Sequence, residues 1–417
     1  MDWYWWATWL LCALGLAQAG LLLLHAWENR RYHKVRLRSA LPTDQVPAVT
    51  LFIPCKGLDL HMEANLRALF EQDYSRLTLC FLIEGGGDAA AAVIARLQSE
   101  YPSVPSRVVV CGKADGSGQK VHNLVCGTEQ AQSGDAVLAF VDSDARPNPE
   151  WLGRLVSRLK SGKFAVATGY RWYVPVRPTF VNRLLSAINN TVVNNLGPHG
   201  FNLVWGGAWA MKAETFRGLG LPGAWRGSLS DDLVVSRLVR QARLQVAYEP
   251  HCLVQSSADF TWSGLAEFLR RQYLIVKVYA PVWWWSALLL GGLSLGVLGG
   301  LLALAIHPGT GSLSWIWPAA GALLHYLTIA TRAAIAAGSV RPFIDLDEAE
   351  YRKVSLLNIW GWPLVSLVIW MGLAASSIGR TIVWRGIRYR LDSPTKTTIL
   401  NRPPEESSLR SPARHAA

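Results

Sequence analysis

Long apolar stretches flank one long region of mixed character in this chain. Residues 3–27 contain no acidic or basic side chain except His25, and further apolar stretches cover 282–306, 313–338 and 355–379. A helix needs about 20 apolar residues to cross a bilayer core. Basic residues follow the first stretch instead of preceding it, which favours a retained anchor over a cleaved signal peptide. The pattern predicts an integral, multi-pass membrane protein.

The ends of the C-terminal stretches are rich in tryptophan, which favours the headgroup level of a membrane. These residues are Trp283, Trp284, Trp285, Trp315, Trp317, Trp360, Trp362 and Trp384. Three spans after a cytoplasmic domain would place the basic tail outside, against the positive-inside rule. One stretch is therefore predicted to be re-entrant or interfacial, and 313–338, which contains Arg332, is the candidate.

Residues 40–280 alternate short apolar runs with amphipathic segments, which predicts an α/β sheet. The runs are 48–54, 77–83, 106–110 and 136–142. Open α/β sheets bind ligands beyond the carboxyl ends of their strands. The residues that follow the runs are therefore the first candidates for chemistry; they are Lys56, Gly57, Asp59, Glu84 to Asp88 and Asp142 to Asp144.

Asp142 and Asp144 end the run 136–142 and would project two carboxylates on the same side of a strand. Carboxylate oxygens suit Mg²⁺ or Mn²⁺ and leave metal positions for the phosphates of a nucleotide. In the alternative interpretation, Asp144 only caps a helix that begins near Pro149.

Three further segments each allow a functional and a structural interpretation. The turn 116–119 leads into a helix with Lys120 at its start, which suits a phosphate or is an ordinary surface turn. Asp231 and Asp232 open another helix, either to supply a general base or to complement the helix dipole. The loop 197–201, followed by Trp205, is either an entrance for an acceptor or a glycine-rich turn.

The net charge and the cysteines indicate which classes of partner and which redox compartment to expect. The 417-residue chain has a net charge of +12, with basic clusters directly after the first and last apolar stretches. Such placement indicates lipid headgroups, and no nucleic-acid motif accompanies it, so no nucleic-acid partner is expected. The six cysteines form no C-x-x-C pair, which favours free thiols in a reducing compartment.

Taken in order, the motifs carry a family resemblance. They are IPCKG (53–57), GQKVHNL (118–124), VDSD (141–144), WGGAWAM (205–211), SDD (230–232) and RRQY (270–273). The series resembles the inverting, membrane-bound glycosyltransferases of GT-A fold, particularly the ceramide glucosyltransferase family (glycosyltransferase families 21 and 2).

The resemblance implies an α/β GT-A (Rossmann-like) catalytic domain that transfers a hexose, glucose in this family, from a UDP-linked sugar to a lipid hydroxyl. It implies Mg²⁺ or Mn²⁺ on Asp142 and Asp144, and Asp232 as the general base. The residues that it places near the substrates are Glu84, Asp88, Lys120, Asp231, Trp205 and Tyr273.

One departure concerns the family's last signature, Arg or Gln followed by two variable residues and Arg-Trp. Here Gln272 and Tyr273 stand where Arg and Trp are expected. Arg271 is the predicted substitute because a guanidinium binds phosphate in a bidentate way. Arg270 is instead expected at the membrane surface.

The predicted organisation has four parts: an N-terminal transmembrane anchor (1–27), a cytoplasmic catalytic domain (40–280), a C-terminal membrane region (281–379) and a basic, partly disordered, cytoplasmic or interfacial tail (380–417). The anchor is one helix, and the C-terminal membrane region is predicted to contain about three transmembrane or re-entrant helices. A processive polysaccharide synthase is the nearest rival. A catalytically silent membrane scaffold is the rival from another class, which the filled acidic positions disfavour.

Overall fold

The computed structural model describes residues 2–41, 46–131, 134–307 and 313–402. The helices are α1 (Asp2–Leu37), α2 (Met62–Phe70), α3 (Ala90–Glu100), α4 (Gln119–Glu129), α5 (Trp151–Ser157), α6 (Phe180–Val193), α7 (Ala213–Gly218), α8 (Leu221–Trp225), α9 (Asp231–Gln241), α10 (Trp262–Tyr279), α11 (Pro281–Ala305), α12 (Ile316–Val340), α13 (Glu348–Trp360) and α14 (Trp362–Ser376). The strands are β1 (Val49–Pro54), β2 (Leu77–Ile83), β3 (Ser106–Val110), β4 (Val137–Val141), β5 (Ala145–Arg146), β6 (Val166–Pro175), β7 (Ala208–Lys212), β8 (Val246–Ala258), β9 (Thr381–Trp384), β10 (Ile387–Ser393) and β11 (Lys396–Asn401).

The predicted α/β domain is confirmed as an eight-stranded mixed sheet. Its strand order is β3-β2-β1-β4-β7-β6-β8-β5. Strands β3, β2, β1 and β4 run parallel to one another, whereas β7 is antiparallel to β4 and to β6. Because the parallel strands share one direction, the segments that follow β1, β2 and β4 meet at the same edge of the sheet.

The two faces of the sheet bury alternate residues of the same strands, as the period of 2 requires. Leu51 and Ile53 of β1 pack against α2, α3 and α5, while Phe52 between them packs on the opposite face. There Phe140 of β4 stacks on Trp209 of β7, with ring centroids 4.0 Å apart. Both faces are therefore covered, which explains why the strands are nearly uniformly apolar.

Among the residues that the structure describes, three helices are long and apolar enough to cross a membrane: α1, α11 and α12. The first of them continues to Leu37, beyond the predicted anchor boundary, and its Arg36 pairs with buried Glu249 of β8 at 2.6 Å. This part of the basic cluster therefore binds the catalytic domain. A fourth candidate span consists of α13 and α14, which are bent by 80° relative to each other.

The bend corrects the re-entrant candidate. Residues 313–338 are predicted to be re-entrant or interfacial, but Ile316–Val340 is one continuous helix, so this stretch is not re-entrant. The interruption instead divides the predicted stretch 355–379 between Trp360 and Trp362. Pro363 in the first turn of α14 explains this position, because proline has no N–H to continue the preceding helix.

Residues 381–401 of the tail that is predicted to be partly disordered form a three-stranded antiparallel sheet of order β11-β10-β9. Buried Ile387, Tyr389 and Leu391 alternate with exposed Arg388 and Arg390, the period of a half-buried strand. The buried residues join the same core as β4, α4 and α9. Residues 403–417 of the predicted tail lie outside the described residues.

Candidate active site

A cavity of about 370 Å³ opens at the edge of the sheet where β1 and β4 end. Charged side chains line one part of it, and the helices α6 and α10 line another with apolar side chains. The apolar lining residues include Leu185, Ile188, Val192, Leu196, Ile275 and Val276. The cavity therefore joins a polar compartment to an apolar one.

Asp142 and Asp144 both line the polar compartment. Arg171 of β6 bridges them, at 3.3 Å from Asp142 Oδ2 and 3.4 Å from Asp144 Oδ2. Ser143 between them donates to Asp59 Oδ2 at 2.6 Å. The structure therefore brings the two predicted carboxylates together and anchors the residue between them.

The two carboxyl groups differ in electrostatic environment. Burial works against ionisation of Asp142, but Lys120 and Arg171 outweigh it and hold the pKa of Asp142 below its ordinary value. Burial dominates at Asp144 and raises its pKa, with Arg171 opposing the shift. Lys120 Nζ lies 2.8 Å from Asp142 Oδ1, which explains the stronger compensation there.

The donor set of this pair fits a hard divalent cation. Asp144 Oδ1 is buried and has no hydrogen-bond partner, which is a costly state for a carboxylate oxygen and one that a cation relieves. Across the described ranges, no three His, Cys, Asp or Glu side chains form a group that could hold a metal ion by themselves. A metal here would thus take its remaining ligands from a bound ligand or water.

Lys120 stands between the two groups of acids. Its ammonium group lies 2.8 Å from Asp142 and 3.1 Å from Asp231, and it donates to the carbonyl of Gly206 at 3.2 Å. The predicted helix start at Lys120 therefore faces the cavity and is not a surface turn. Its charge balances acids that would otherwise repel one another.

Asp231 and Asp232 begin α9 behind the N-cap Ser230, and both line the cavity. Asp231 is buried, which raises its pKa to about 7 against the opposing effect of Lys120. Asp232 accepts hydrogen bonds from the amides of Gly206 and Leu233, each at 2.8 Å. Both predicted carboxylates are therefore in the site. Because Ser230 already caps the helix, these two acids are not needed as its N-cap.

The Trp205-Gly206-Gly207 segment packs closely against the acids. Arg171 lies over the Trp205 ring at 4.6 Å from its centroid. A Cβ at Gly207 would lie 2.7 Å from Asp142 Oδ2 and 2.3 Å from the Trp205 ring, so no larger residue fits there. This close approach explains the glycine pair in the motif.

Glu84 and Asp88 lie at the neighbouring strand end but are not among the cavity-lining residues. Glu84 pairs with Lys56, which does line the cavity. Asp88 Oδ1 accepts from the amides of Gly57 and Ala90, each at 2.9 Å. Asp88 thus holds the loop after β1 against the start of α3, and its contact with a substrate stays a prediction.

Residues 269–273 lie within α10, and the two arginines among them make different contacts. Arg271, Gln272 and Tyr273 line the cavity. Arg271 Nη1 donates to the carbonyl of Val383 at 3.4 Å, and burial lowers the pKa of Arg271 to about 10, so the side chain stays charged at neutral pH. Arg270 instead donates to the carbonyls of Ile378 and Thr381, and its place at the membrane surface stays a prediction.

Two cavity arginines were not predicted from the sequence, Arg171 and Arg385. Arg171 could have been found in the sequence, because it is a charged residue within an aromatic, buried strand, and a buried charge needs a partner. No local pattern pointed to Arg385, since it lies in the segment that was expected to be a tail.

Comparisons with known proteins agree on one group. A family model described as glycosyl transferase family 21 matches residues 7–397. Curated relatives include a ceramide glucosyltransferase of Komagataella phaffii, 34% identical over 102 residues, which are 22% of this chain and 19% of the relative. Another is ceramide glucosyltransferase 1 of Caenorhabditis elegans, 27% identical over 96 residues, which are 23% of this chain and 20% of the relative. The matched region therefore spans about a fifth of each curated relative.

Solved structures show more distant likenesses. A mannosyltransferase from Pyrobaculum calidifontis, in complex with GDP-Man and Mn²⁺, is 16% identical with a TM-score of 0.46, over 88% of this chain and 99% of that one. A glucosyl-3-phosphoglycerate synthase from Mycobacterium tuberculosis, in complex with Mn²⁺, UDP and glucosyl-3-phosphoglycerate, is 14% identical with a TM-score of 0.35, over 57% and 85% of the two chains.

Proposed function

This chain belongs to glycosyl transferase family 21, and we propose that it transfers a hexose, glucose in the named relatives, from a UDP-linked donor to the hydroxyl of a membrane lipid with inversion. The match to the family model confirms the family resemblance, and the eight-stranded mixed sheet with its long apolar helices confirms the predicted α/β architecture. The observation that carries the proposal is the single cavity that joins paired acids and cations to an apolar compartment.

The polar compartment suits the nucleotide sugar. Asp142 and Asp144 would hold Mg²⁺ or Mn²⁺, which neutralises charge on the departing diphosphate. Lys120 and Arg271 add positive charge around the same part of the cavity. Glu84 and Asp88, at the adjacent strand end, are the proposed contacts of the uridine or ribose, with Asp231 completing the charge balance of Lys120.

Asp232 is the proposed general base. It lies in the same cavity as the acid pair and is fixed by two backbone amides, so its carboxylate is held in one orientation. Accepting the proton of an acceptor hydroxyl while that oxygen attacks the anomeric carbon is a single displacement, which inverts the anomer. A positioned base of this kind contributes about 10²–10⁴ in rate.

The apolar compartment suits the lipid acceptor. Its wall helix α6 packs on the bent pair: Asn358 of α13 donates to the carbonyl of Ala187 at 2.8 Å, and Arg183 pairs with Glu350 at 2.7 Å. The ring of Tyr273 lies against Gly372 of α14. Tyr273 and Trp205, which both line the cavity, are thus proposed to pack beside the acceptor as it enters from the bilayer.

The contacts of the C-terminal sheet also support a topology. Strands β9–β11 pack on the catalytic domain, so an even number of crossings must separate residues 281 and 380. Helices α11 and α12 supply two crossings, and the 80° bend of α13 and α14 suits a segment that returns to the same side. The catalytic domain and the C-terminal sheet then both lie in the cytoplasm with their basic clusters, as the positive-inside rule requires.

The test uses purified full-length protein in vesicles that contain ceramide, with UDP-glucose and Mn²⁺ or Mg²⁺. We expect release of UDP and one β-linked glucose on the lipid, detected by mass spectrometry and by the anomeric coupling in NMR, and neither product with Asp232→Asn. A polymer of many sugars would instead identify a polysaccharide synthase. No turnover of UDP-glucose or GDP-mannose with any lipid extract would support a silent scaffold and contradict the proposal.

A further inference from the structure

The C-terminal sheet forms part of the cavity wall. Tyr389 Oη accepts a hydrogen bond from the amide of Gln119 at 3.3 Å, and Tyr389 lines the cavity. Arg402 donates to the carbonyl of Ala114 at 2.7 Å, on the other side of the same helix start. A Cβ at Gly227 would lie 2.4 Å from the carbonyl of Thr395, so the sheet approaches the segment before α9 closely. The site is therefore assembled from both ends of the chain.

The turn between β9 and β10 brings Arg385 into this wall. Trp384 pairs with Ile387, so Arg385 and Gly386 form a two-residue turn, with φ of 51° and 78°. Such a turn normally carries Asn, Asp or Gly because both residues have positive φ. Arginine at this position accepts a sparsely populated backbone conformation, and residues of that kind cluster at functional sites.

The side chain of Arg385 is connected to the acid pair through two residues, Asp59 and Ser143. Its Nη1 lies 2.6 Å from Asp59 Oδ1 and donates to the carbonyl of Lys56 at 3.1 Å. Asp59 in turn accepts from Ser143, the residue between Asp142 and Asp144. The guanidinium lines the cavity and is about one-fifth exposed. A guanidinium has five N–H donors, so these two acceptors leave capacity for a ligand.

Three arginines from distant elements converge here: Arg171 of β6, Arg271 of α10 and Arg385 of the turn. Burial is the largest effect that lowers the pKa of Arg271, and the charges of Arg385 and Arg171 add to it. Arg171 is paired with the two acids of the metal pair, and Arg385 is paired with Asp59. A ligand with several negative charges would offset the repulsion that Arg271 experiences from the other two arginines.

We propose that Arg385 binds the diphosphate of the nucleotide-sugar donor, so that the C-terminal turn supplies the arginine that is missing at Gln272. The inference rests on the proposed function, because a nucleoside diphosphate is the anion that this function brings into the cavity. A guanidinium matches phosphate oxygens in a bidentate way, and Arg385 faces the part of the cavity where the acid pair would hold the metal.

The arginines of α10 then have a positioning role for this turn. Arg270 donates to the carbonyls of Ile378 and Thr381 at 2.8 and 2.9 Å, and Arg271 contacts the carbonyl of Val383. All three acceptors lie within the seven residues before Arg385. Arg270 and Arg271 thus hold β9, while Arg385 at its end meets the ligand.

The experiment measures UDP and UMP binding to the purified full chain by isothermal titration calorimetry in the presence of Mn²⁺. The variants are Arg385→Ala, Arg385→Lys and the control Arg388→Ala, an exposed arginine of the same sheet that does not line the cavity. We expect Arg385→Ala to weaken UDP binding at least about tenfold and UMP binding less, since UMP has one phosphate fewer. Arg385→Lys keeps the charge without the fork and should fall between Arg385→Ala and the wild type.

The outcomes separate the two proposals. UDP binding by Arg385→Ala within about twofold of wild type, while wild type transfers glucose, overturns the role of Arg385 and leaves the function standing. If Arg385→Ala does not fold, Arg385→Lys decides, and wild-type UDP affinity in that variant counts against a bidentate contact. A wild-type chain that binds neither UDP nor GDP and transfers no sugar overturns the proposed function, and this inference with it.

Discussion

The acidic and the basic side chains of the cavity come from different kinds of position in the chain. Asp142 and Asp144 directly follow a strand, and Asp231 and Asp232 begin a helix, so the members of each pair are close together in the sequence. The three arginines lie within a strand, within a helix and in a C-terminal turn, respectively, more than 90 residues apart in each case. The acids are thus placed by local structure and the arginines by tertiary packing.

The difference suggests a division of roles. Acids fixed at element ends have well-defined directions, which metal binding and proton transfer require. Arginines that arrive from separate elements surround a volume, which suits binding of a diffuse anion such as a diphosphate. Changes among the acids should therefore lower turnover, whereas changes among the arginines should mainly lower affinity for the donor.

The largest effect is expected at the metal pair. Asp142→Asn and Asp144→Asn each remove a charged ligand, and we expect turnover to fall by about 10³-fold, because a divalent metal contributes several kcal/mol to stabilising the leaving group. Initial rates across a Mn²⁺ and Mg²⁺ titration measure this, with exposed Glu214→Gln as the charge-matched control. Full activity of either variant, or of wild type in excess chelator, would contradict the metal assignment.

The next effect distinguishes the two acids of α9. Asp232→Asn should lower kcat about 10²-fold or more with nearly unchanged UDP affinity, because it removes the proton acceptor and not a donor contact. Asp231→Asn is the matched control, since Asp231 is buried against Lys120. The reverse order of severity would mean that Asp231 is the base.

The sequence is informative where function coincides with element ends. The acids after β4 were predicted from an apolar run that stops at polar residues, the acids of α9 from the start of an amphipathic helix, and Lys120 from its turn. All of them line the cavity. Arg171 and Arg385 were missed because a residue inside a strand or in a remote tail reveals its neighbours only after packing. The sequence shows that Gln272 stands where the family has an arginine, but it does not show that Arg385 lies in the same cavity.

The membrane region shows the same limit. Composition predicted apolar helices at the correct places, because hydropathy is a local property. Composition did not show which helix is interrupted. Arg332 led to the prediction that 313–338 is the re-entrant or interfacial stretch, whereas the bend lies between α13 and α14. Similarly, the alternation at Ile387, Tyr389 and Leu391 is a strand signal that the basic composition of the tail concealed.

A smaller effect is expected among the arginines. Arg271→Ala should raise the KM for the donor about tenfold or more and lower kcat less, because Arg271 lines the cavity and also contacts the carbonyl of Val383. Arg270→Ala should weaken donor binding only through β9, and so by less. Gln272→Arg should be tolerated, since it adds a cation where the family has one. Wild-type kinetics for Arg271→Ala would remove it from the donor site and leave Arg385 as the principal cation.

The smallest effect tests the buried acid that the chemistry does not use. Burial raises the pKa of Asp231 to about 7, with Lys120 opposing the shift, whereas an unfolded aspartate titrates near pH 3.9. Between about pH 4 and 7 the folded state binds the extra proton, so this group stabilises the protein at low pH and that stability is lost as the pH rises through 7.

Asparagine resembles the protonated acid, so Asp231→Asn should unfold at nearly the wild-type temperature at pH 5. At pH 8 the variant should gain about 2 °C or more relative to wild type in metal-free buffer. Thermal unfolding at both pH values measures the difference, and Glu214→Gln should show none. An equal difference at both values would mean that Asp231 is ionised throughout, held by Lys120, and would place it among the charged groups that face the donor.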